Sequence, residues 1–200
     1  VYLDILKDRL YTFRKDSPLR RGSQTVLFDI LVALTKLMAP VLSFTAEEIW
    51  RMLPESVRVD SKADSVHLAM FPEVDPRWAD AKLAGRWEQL LEVRTAVQAA
   101  LEVQRREKVI GAPLEAKVLI AAHPAHYDLL KTYGQDLPAF FIVSDVVLQS
   151  APDLPEKPGF VITVEKATGV KCERCWNYRG SVGTSSDHPT LCDRCVEAVR

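Results

Sequence analysis

Apolar residues recur at helical spacing through most of the first half of the chain. Tyr2, Leu6 and Leu10 share one face of the opening stretch VYLDILKDRLYTF, which predicts a first helix there. Since no initiator methionine and no capping residue precede this helix, we expect a fragment that begins inside or just at it. A wider apolar stripe follows Pro18, and its width predicts a helix packed inside a bundle. The stripe comprises Val26, Leu27, Ile30, Leu31, Leu34, Leu37 and Met38.

Helical periodicity continues to about residue 110. The stretch SFTAEEIWRML predicts a third helix, with Trp50 on its apolar face. Asp75 and Pro76 stand in the order of an N-cap and a first helical residue, which predicts a long helix that reaches about Lys108. Gly111 is suited to the C-terminus of that helix.

The pattern changes beyond residue 111. LEAKVLIAA predicts a strand, PAHYDLLKTYG a short helix, and FFIVSDVVLQS and GFVITVEKA two more strands. We therefore expect an α+β fold in several parts. A helical bundle covers 1–110, a small α/β unit covers 111–166, and a cysteine-bearing module covers 167–200.

All four cysteines of the chain lie near its C-terminus, as two C-x-x-C pairs. Cys172 and Cys175 form the first pair, and Cys192 and Cys195 form the second after a spacing of sixteen residues. This spacing is typical of a zinc site, because two tight turns aim four sulfurs at one tetrahedral ion. Four thiolates fill the coordination shell, so we expect one structural Zn²⁺ with no open position for catalysis.

Disulfides and redox chemistry are the alternatives for these cysteines. Disulfides need an oxidising compartment, but the sequence shows no signal peptide, and a chain of 200 residues can bury a core without them. A redox C-x-x-C motif needs only one pair. His188 lies in the same loop and is an alternative ligand, which we rank below the thiols as an exposed loop residue.

The composition excludes few functions, but the basic residues are unevenly distributed along the chain. The chain is 48% hydrophobic and 26% charged with a net charge of −1, as expected for a globular protein without a membrane span. Basic residues exceed acidic ones at both ends, six to three over 1–25 and six to four over 166–200. Phosphate-binding glycine loops and catalytic motifs such as H-E-x-x-H are absent from the sequence. We see no catalytic constellation in this chain.

Aromatic and basic residues accompany the cysteines and are candidate nucleic-acid contacts. Trp176 lies between Arg174 and Arg179, and bases stack on such rings while guanidinium groups pair with phosphates. Trp176 as the small core of the module, with solvated arginines, is the alternative. Arg20 and Arg21 adjoin a predicted helix N-terminus, where the helix dipole disfavours cations, so an anionic partner is expected there.

Several stretches together resemble the C-terminal part of bacterial isoleucyl-tRNA synthetases. They are YLDILKDRLY, RRGSQTVLFDILVALTKLMAPVLSFTAEEIW, SVHLAMFP and the CERCWNYRG…CDRC region, in this order. MAPVLSFTAEEIW is similar to a segment shared by the isoleucyl, valyl and leucyl enzymes. The cysteine module resembles the bacterial isoleucyl type, and also the zinc finger that ends formamidopyrimidine-DNA glycosylases.

The resemblance implies a class I synthetase that uses ATP to charge tRNA(Ile) with isoleucine. It implies that the bundle binds the anticodon, that the four cysteines hold zinc, and that the zinc module helps to hold the tRNA. The His-Ile-Gly-His and Lys-Met-Ser-Lys-Ser signatures of that class do not occur here. We therefore expect upstream catalytic and editing domains, a non-catalytic fragment, a cytoplasmic location, and a monomer with no membrane partner.

Two other functions remain open at this point. The zinc module alone also suits the C-terminal region of a formamidopyrimidine-type DNA glycosylase, although that family needs an N-terminal proline and this chain begins with Val1. A zinc-stapled protein-interaction module without nucleic acid is the other.

Overall fold

The computed structural model describes residues 1–61 and 63–200, and it describes the side chains of all of these except residues 59–61. Among the described residues the helices are α1 (Tyr2–Thr12), α2 (Pro18–Met38), α3 (Ser43–Met52), α4 (Glu55–Ser61), α5 (Ala81–Arg106), α6 (Pro124–Thr132), α7 (Leu137–Phe141) and α8 (Asp193–Val199). The strands are β1 (Ala116–Ala122), β2 (Asp145–Ser150), β3 (Phe160–Lys166), β4 (Val170–Lys171) and β5 (Tyr178–Arg179). The α+β fold class expected from the sequence is confirmed.

The chain forms two compact units. The helical unit comprises residues 16–79, and the sheet unit comprises residues 1–15 together with 80–200. This grouping does not divide the chain at 110 or at 166, because α1 and α5 pack in the sheet unit rather than with α2 and α3. The three-part division over 1–110, 111–166 and 167–200 stays a prediction.

The helical unit is organised around one tryptophan. Trp50 of α3 is fully buried, and its indole N–H donates to the carbonyl oxygen of Ala63 at 3.1 Å. The carboxylate of Glu47 accepts hydrogen bonds from the Ser65 hydroxyl at 2.8 Å and from the Val66 backbone N–H at 3.0 Å. The buried core comprises Ala39, Ala46, Trp50, Leu53, Ala63 and Val66.

Helix α2 begins at Pro18 as predicted, but the expected burial of its apolar stripe is wrong. Leu34 and Leu37 are about half exposed, and the buried residues of α2 are Ser23 and Thr35. Among the described residues of α2, Val32 packs against the core of the helical unit. The pattern therefore predicted the helix correctly but not which of its faces is covered in this chain.

The sheet unit is built on a three-stranded mixed sheet in the order β2-β1-β3. Strand β1 pairs parallel with β2 and antiparallel with β3, and α6 and α7 lie in the β1-to-β2 crossover that a parallel pair requires. Val118 and Ile120 of β1 are fully buried, and alternate residues of this strand face the core. The predicted order of strand, helix, strand and strand is confirmed, but the second predicted strand begins later than expected. Phe140 and Phe141 belong to α7, and β2 begins at Asp145.

Helix α5 lies against this sheet through Leu90, Val93 and Val97. Its N-cap is Asp80, whose carboxylate accepts the Leu83 backbone N–H at 2.9 Å. The cap predicted at Asp75 instead belongs to a short 3₁₀ turn, Pro76–Trp78. The helix ends at Arg106, before the predicted glycine at 111, because Lys108 already adopts a left-handed backbone with φ 60°. No helix in the described part of the chain has the length and hydrophobicity to cross a membrane.

Candidate metal centre and nucleic-acid interface

The two cysteine pairs converge in the sheet unit at one buried point. Cys172 and Cys175 lie in the turn between β4 and β5, while Cys192 and Cys195 lie at the start of α8. The four sulfur atoms lie within 4.8 Å of one another, and all four residues are buried. The Cys175 and Cys192 sulfurs are 3.7 Å apart, close to the roughly 3.8 Å edge of a tetrahedron with Zn–S bonds of about 2.3 Å.

The backbone of the first pair is shaped for ligation. The Cys172 N–H donates to the Asn177 carbonyl at 2.9 Å, and the Trp176 N–H donates to the Cys172 carbonyl at 2.9 Å. Gly169 precedes β4 with φ 95°, and a Cβ there would lie 2.6 Å from the Arg179 carbonyl carbon. Only glycine therefore permits the close approach of the two strands that carry the turn.

Backbone amides stabilise thiolate at the centre. Burial raises the pKa of the Cys172 thiol, but N–H groups of Cys175 and Cys192 donate to its sulfur and bring the pKa down to about 6. Burial raises the pKa of the Cys192 and Cys195 thiols. A divalent cation offsets the charge of four converging thiolates, so this donor set fits one Zn²⁺. His188 is not among the ligands, because the cluster in the described residues consists of the four cysteines.

Trp176 and Arg179 are exposed at the edge of this centre. Trp176 is 60% exposed, its backbone is left-handed with φ 64°, and the Lys171 Nζ lies 5.5 Å from the ring centroid. A groove of about 410 Å³ separates the module from α1 and has Tyr11 and Trp176 among its lining residues. The alternative that Trp176 forms the core of the module does not hold, because the cysteines are buried and the indole is not.

Arg174 has a different environment from the one predicted. Its guanidinium donates to the backbone carbonyls of Thr12 and Tyr11, at the C-terminal end of α1, and to the Cys195 sulfur at 3.7 Å. Arg194, which the sequence reasoning did not select, binds the Asp8 carboxylate. The signal for both was the repeated C-x-R-C pattern, in which arginine precedes the second cysteine of each pair.

Arg20 and Arg21 lie in the first turns of α2, in the helical unit, whereas the other candidate contacts lie in the sheet unit. Arg20 is half-buried and Arg21 is exposed. The assignment of Arg20, Arg21, Arg174, Trp176 and Arg179 to RNA stays a prediction.

Comparison with known protein families decides what this scaffold is. Residues 1–120 match the family described as the anticodon-binding domain of tRNA ligase. The chain belongs to this family of anticodon-binding domains. Residues 169–198 of this anticodon-binding chain also match the family described as the zinc finger found in FPG and IleRS, in agreement with one structural zinc at the four cysteines.

The chain is also similar along its whole length to several isoleucine–tRNA ligases. It is 48% identical to that of Geobacter sulfurreducens, with 100% of the chain and 22% of the relative covered. It is 48% identical to that of Syntrophotalea carbinolica, with 99% and 21% covered, and 43% identical to that of Moorella thermoacetica, with 100% and 22% covered. This anticodon-binding chain thus spans about a fifth of the length of these relatives.

Proposed function

We propose that the chain binds the anticodon region of tRNA(Ile) as the C-terminal part of an isoleucine–tRNA ligase. The observation that carries this proposal is the similarity to isoleucine–tRNA ligases over the whole chain. Within the chain, the anticodon-binding segment comes first and the zinc finger follows it. The parent enzyme activates isoleucine with ATP, transfers it to the tRNA and works as a cytoplasmic monomer. Its catalytic and editing domains lie upstream in the polypeptide, and the chain alone is non-catalytic.

The edge of the zinc module suits single-stranded RNA. Trp176 presents an exposed ring, and Lys171 and the exposed Arg179 place positive charge beside it. Unpaired bases of a loop are recognised by stacking on such rings while basic groups contact the backbone. Arg20 and Arg21 are further candidate phosphate contacts on the helical unit, and Arg174 is a weaker candidate because its guanidinium already binds α1.

Filter binding across a salt series tests the proposal. The probes are unmodified tRNA(Ile), the same tRNA with its anticodon replaced, and an unrelated DNA duplex of similar length. We expect preference for the native tRNA, loss of that preference when the anticodon is replaced, and affinity that falls steeply with salt because phosphate contacts release counterions. Equal affinity for all three probes contradicts anticodon recognition.

A pair of tryptophan variants locates the contact. Trp176→Ala is expected to weaken tRNA(Ile) binding by roughly 5- to 150-fold, the equivalent of one stacked base. Trp78→Ala is the control for the loss of an exposed indole, since Trp78 is 72% exposed and belongs to the helical unit rather than to the zinc module. Equal losses in both variants, or no loss in Trp176→Ala, contradict the placement of a base on Trp176.

The same assays separate the alternatives. Preference for the DNA duplex favours a glycosylase-type role, because the zinc-finger family that matches residues 169–198 is described as found in FPG as well as in IleRS. Binding to none of the probes favours a protein-interaction module. Isoleucine-dependent pyrophosphate exchange above background contradicts a non-catalytic chain.

A further inference from the structure

The two cysteine pairs repeat one arrangement, Cys-Glu-Arg-Cys over 172–175 and Cys-Asp-Arg-Cys over 192–195. Zinc ligation accounts for the cysteines of this repeat but not for its arginines, Arg174 and Arg194. Both arginines turn away from the module toward α1, which lies more than 150 residues earlier in the chain. Two arginines in equivalent positions of two ligand turns thus reach the same helix.

Arg194 binds the side of α1. Its Nη1 and Nη2 donate to the two carboxylate oxygens of Asp8 at 2.6 and 2.8 Å, a paired geometry that combines charge with fixed direction. Its guanidinium also lies 4.8 Å from the Phe13 ring centroid. Asp8 accepts a further hydrogen bond from the Thr12 hydroxyl at 2.7 Å, so the ion pair is tied to the last turn of the helix.

Arg174 binds the end of α1. The last carbonyl groups of a helix lack intrahelical partners and carry partial negative charge. The Arg174 guanidinium donates to two of them, those of Tyr11 and Thr12. The same Nη1 lies 3.7 Å from the Cys195 sulfur, so one side chain joins a zinc ligand to the helix end.

We infer that the zinc module is a metal-dependent clamp on α1, with Arg174 and Arg194 as its positioning residues. The ion fixes the two ligand turns relative to each other, and the turns fix the two arginines. The clamp therefore holds the last turn of α1 only when the four thiolates are drawn together.

Amide hydrogen exchange of the 200-residue chain, with one zinc per chain and after chelation, tests the clamp. We expect amides at 8–12 to exchange at least about tenfold faster after chelation, while amides of β1 keep their protection. The double variant R174Q/R194Q is expected to show the fast exchange of α1 with zinc still bound. Unchanged α1 exchange on chelation overturns the clamp, and so does an equal loss of protection in β1, which indicates general destabilisation.

If the double variant R174Q/R194Q does not retain zinc, the single variant Asp8→Asn tests the clamp instead. Asp8 lies outside the zinc module, so this variant removes the ion pair with the metal site intact. It is expected to speed α1 exchange with one zinc per chain, and unchanged exchange overturns the proposal. Lys7→Gln removes only an exposed ion pair with Asp4 inside the same helix and is the matched control. It is expected to exchange within about twofold of the wild type, because an exposed pair at this spacing adds little to the stability of a helix. None of these readouts uses RNA, so a failure of tRNA binding leaves the clamp standing and counts against the proposed function alone.

Discussion

Replacement of Trp50 by phenylalanine tests the organisation of the helical unit. The indole is fully buried and its N–H donates to the carbonyl oxygen of Ala63, which is itself a buried residue. An unsatisfied buried carbonyl costs about 1 to 3 kcal/mol. The smaller ring also removes buried apolar atoms, at about 0.8 kcal/mol per methylene equivalent, for a further loss of about 2 kcal/mol. Trp50→Phe is therefore expected to cost the unit about 3 to 5 kcal/mol.

This loss is large for a unit whose buried core has six members among the described residues. At about 0.05 to 0.15 kcal/mol per residue, a unit over 16–79 is stable by about 3 to 10 kcal/mol. The variant thus loses a third or more of that stability. The sheet unit has its own core around Val118 and Ile120 and is expected to keep its stability.

Hydrogen exchange measures the two units separately. Amides of α3 are expected to exchange roughly 100- to 4,000-fold faster in Trp50→Phe, because about 1.4 kcal/mol corresponds to a factor of ten. Amides of β1 are expected to exchange at the wild-type rate. Trp78→Phe is the control, since Trp78 lies in the same unit with 72% of its surface exposed. Exchange in α3 within threefold of the wild type, or an equal change in the control, refutes this account of the core.

Three further predictions follow from single sites. Gly169→Ala is expected to weaken zinc retention in a competition assay with a chromogenic chelator, because φ is 95° and the added Cβ would lie 2.6 Å from the Arg179 carbonyl carbon. Gly180→Ala is the control and is expected to be neutral, since no atom lies within 4 Å of its added Cβ. Arg94→Met is expected to leave the urea midpoint unchanged or to raise it, because two nitrogens of the buried Arg94 have no partner among the described residues. Its contact with the Phe140 ring offsets about 2 kcal/mol of the desolvation cost. A clear drop in the midpoint contradicts this. Hydrogen bonds from the Ser65 hydroxyl and the Val66 amide hold the pKa of Glu47 below its ordinary value of 4.5, so its contribution to stability is present above that pH and is lost as the pH falls further. Glu47→Gln is expected to remove this acid-side loss in urea titrations followed by circular dichroism, and an unchanged pH profile contradicts it.

The sequence by itself determined the features that depend on short spacing. Two residues between cysteines are enough to aim both sulfurs at one ion, so the ligands were predictable from the sequence, and the four sulfur atoms do lie within 4.8 Å of one another. Pro18 marked the start of α2, and the apolar runs after residue 111 marked the order of the strands. These features follow from local backbone geometry, which a few neighbouring residues set.

Only the tertiary structure decided which elements pack together and which faces are covered. The periodicity of α1, α2 and α5 is alike, yet α1 and α5 belong to the sheet unit and α2 does not, because burial depends on partners far away in the chain. The same holds for Arg174 and Arg194. From the sequence, an arginine beside a metal site is equally compatible with a phosphate contact and with a solvated residue. Both side chains bind α1 instead, because the fold places that helix, more than 150 residues distant in the chain, next to the zinc module.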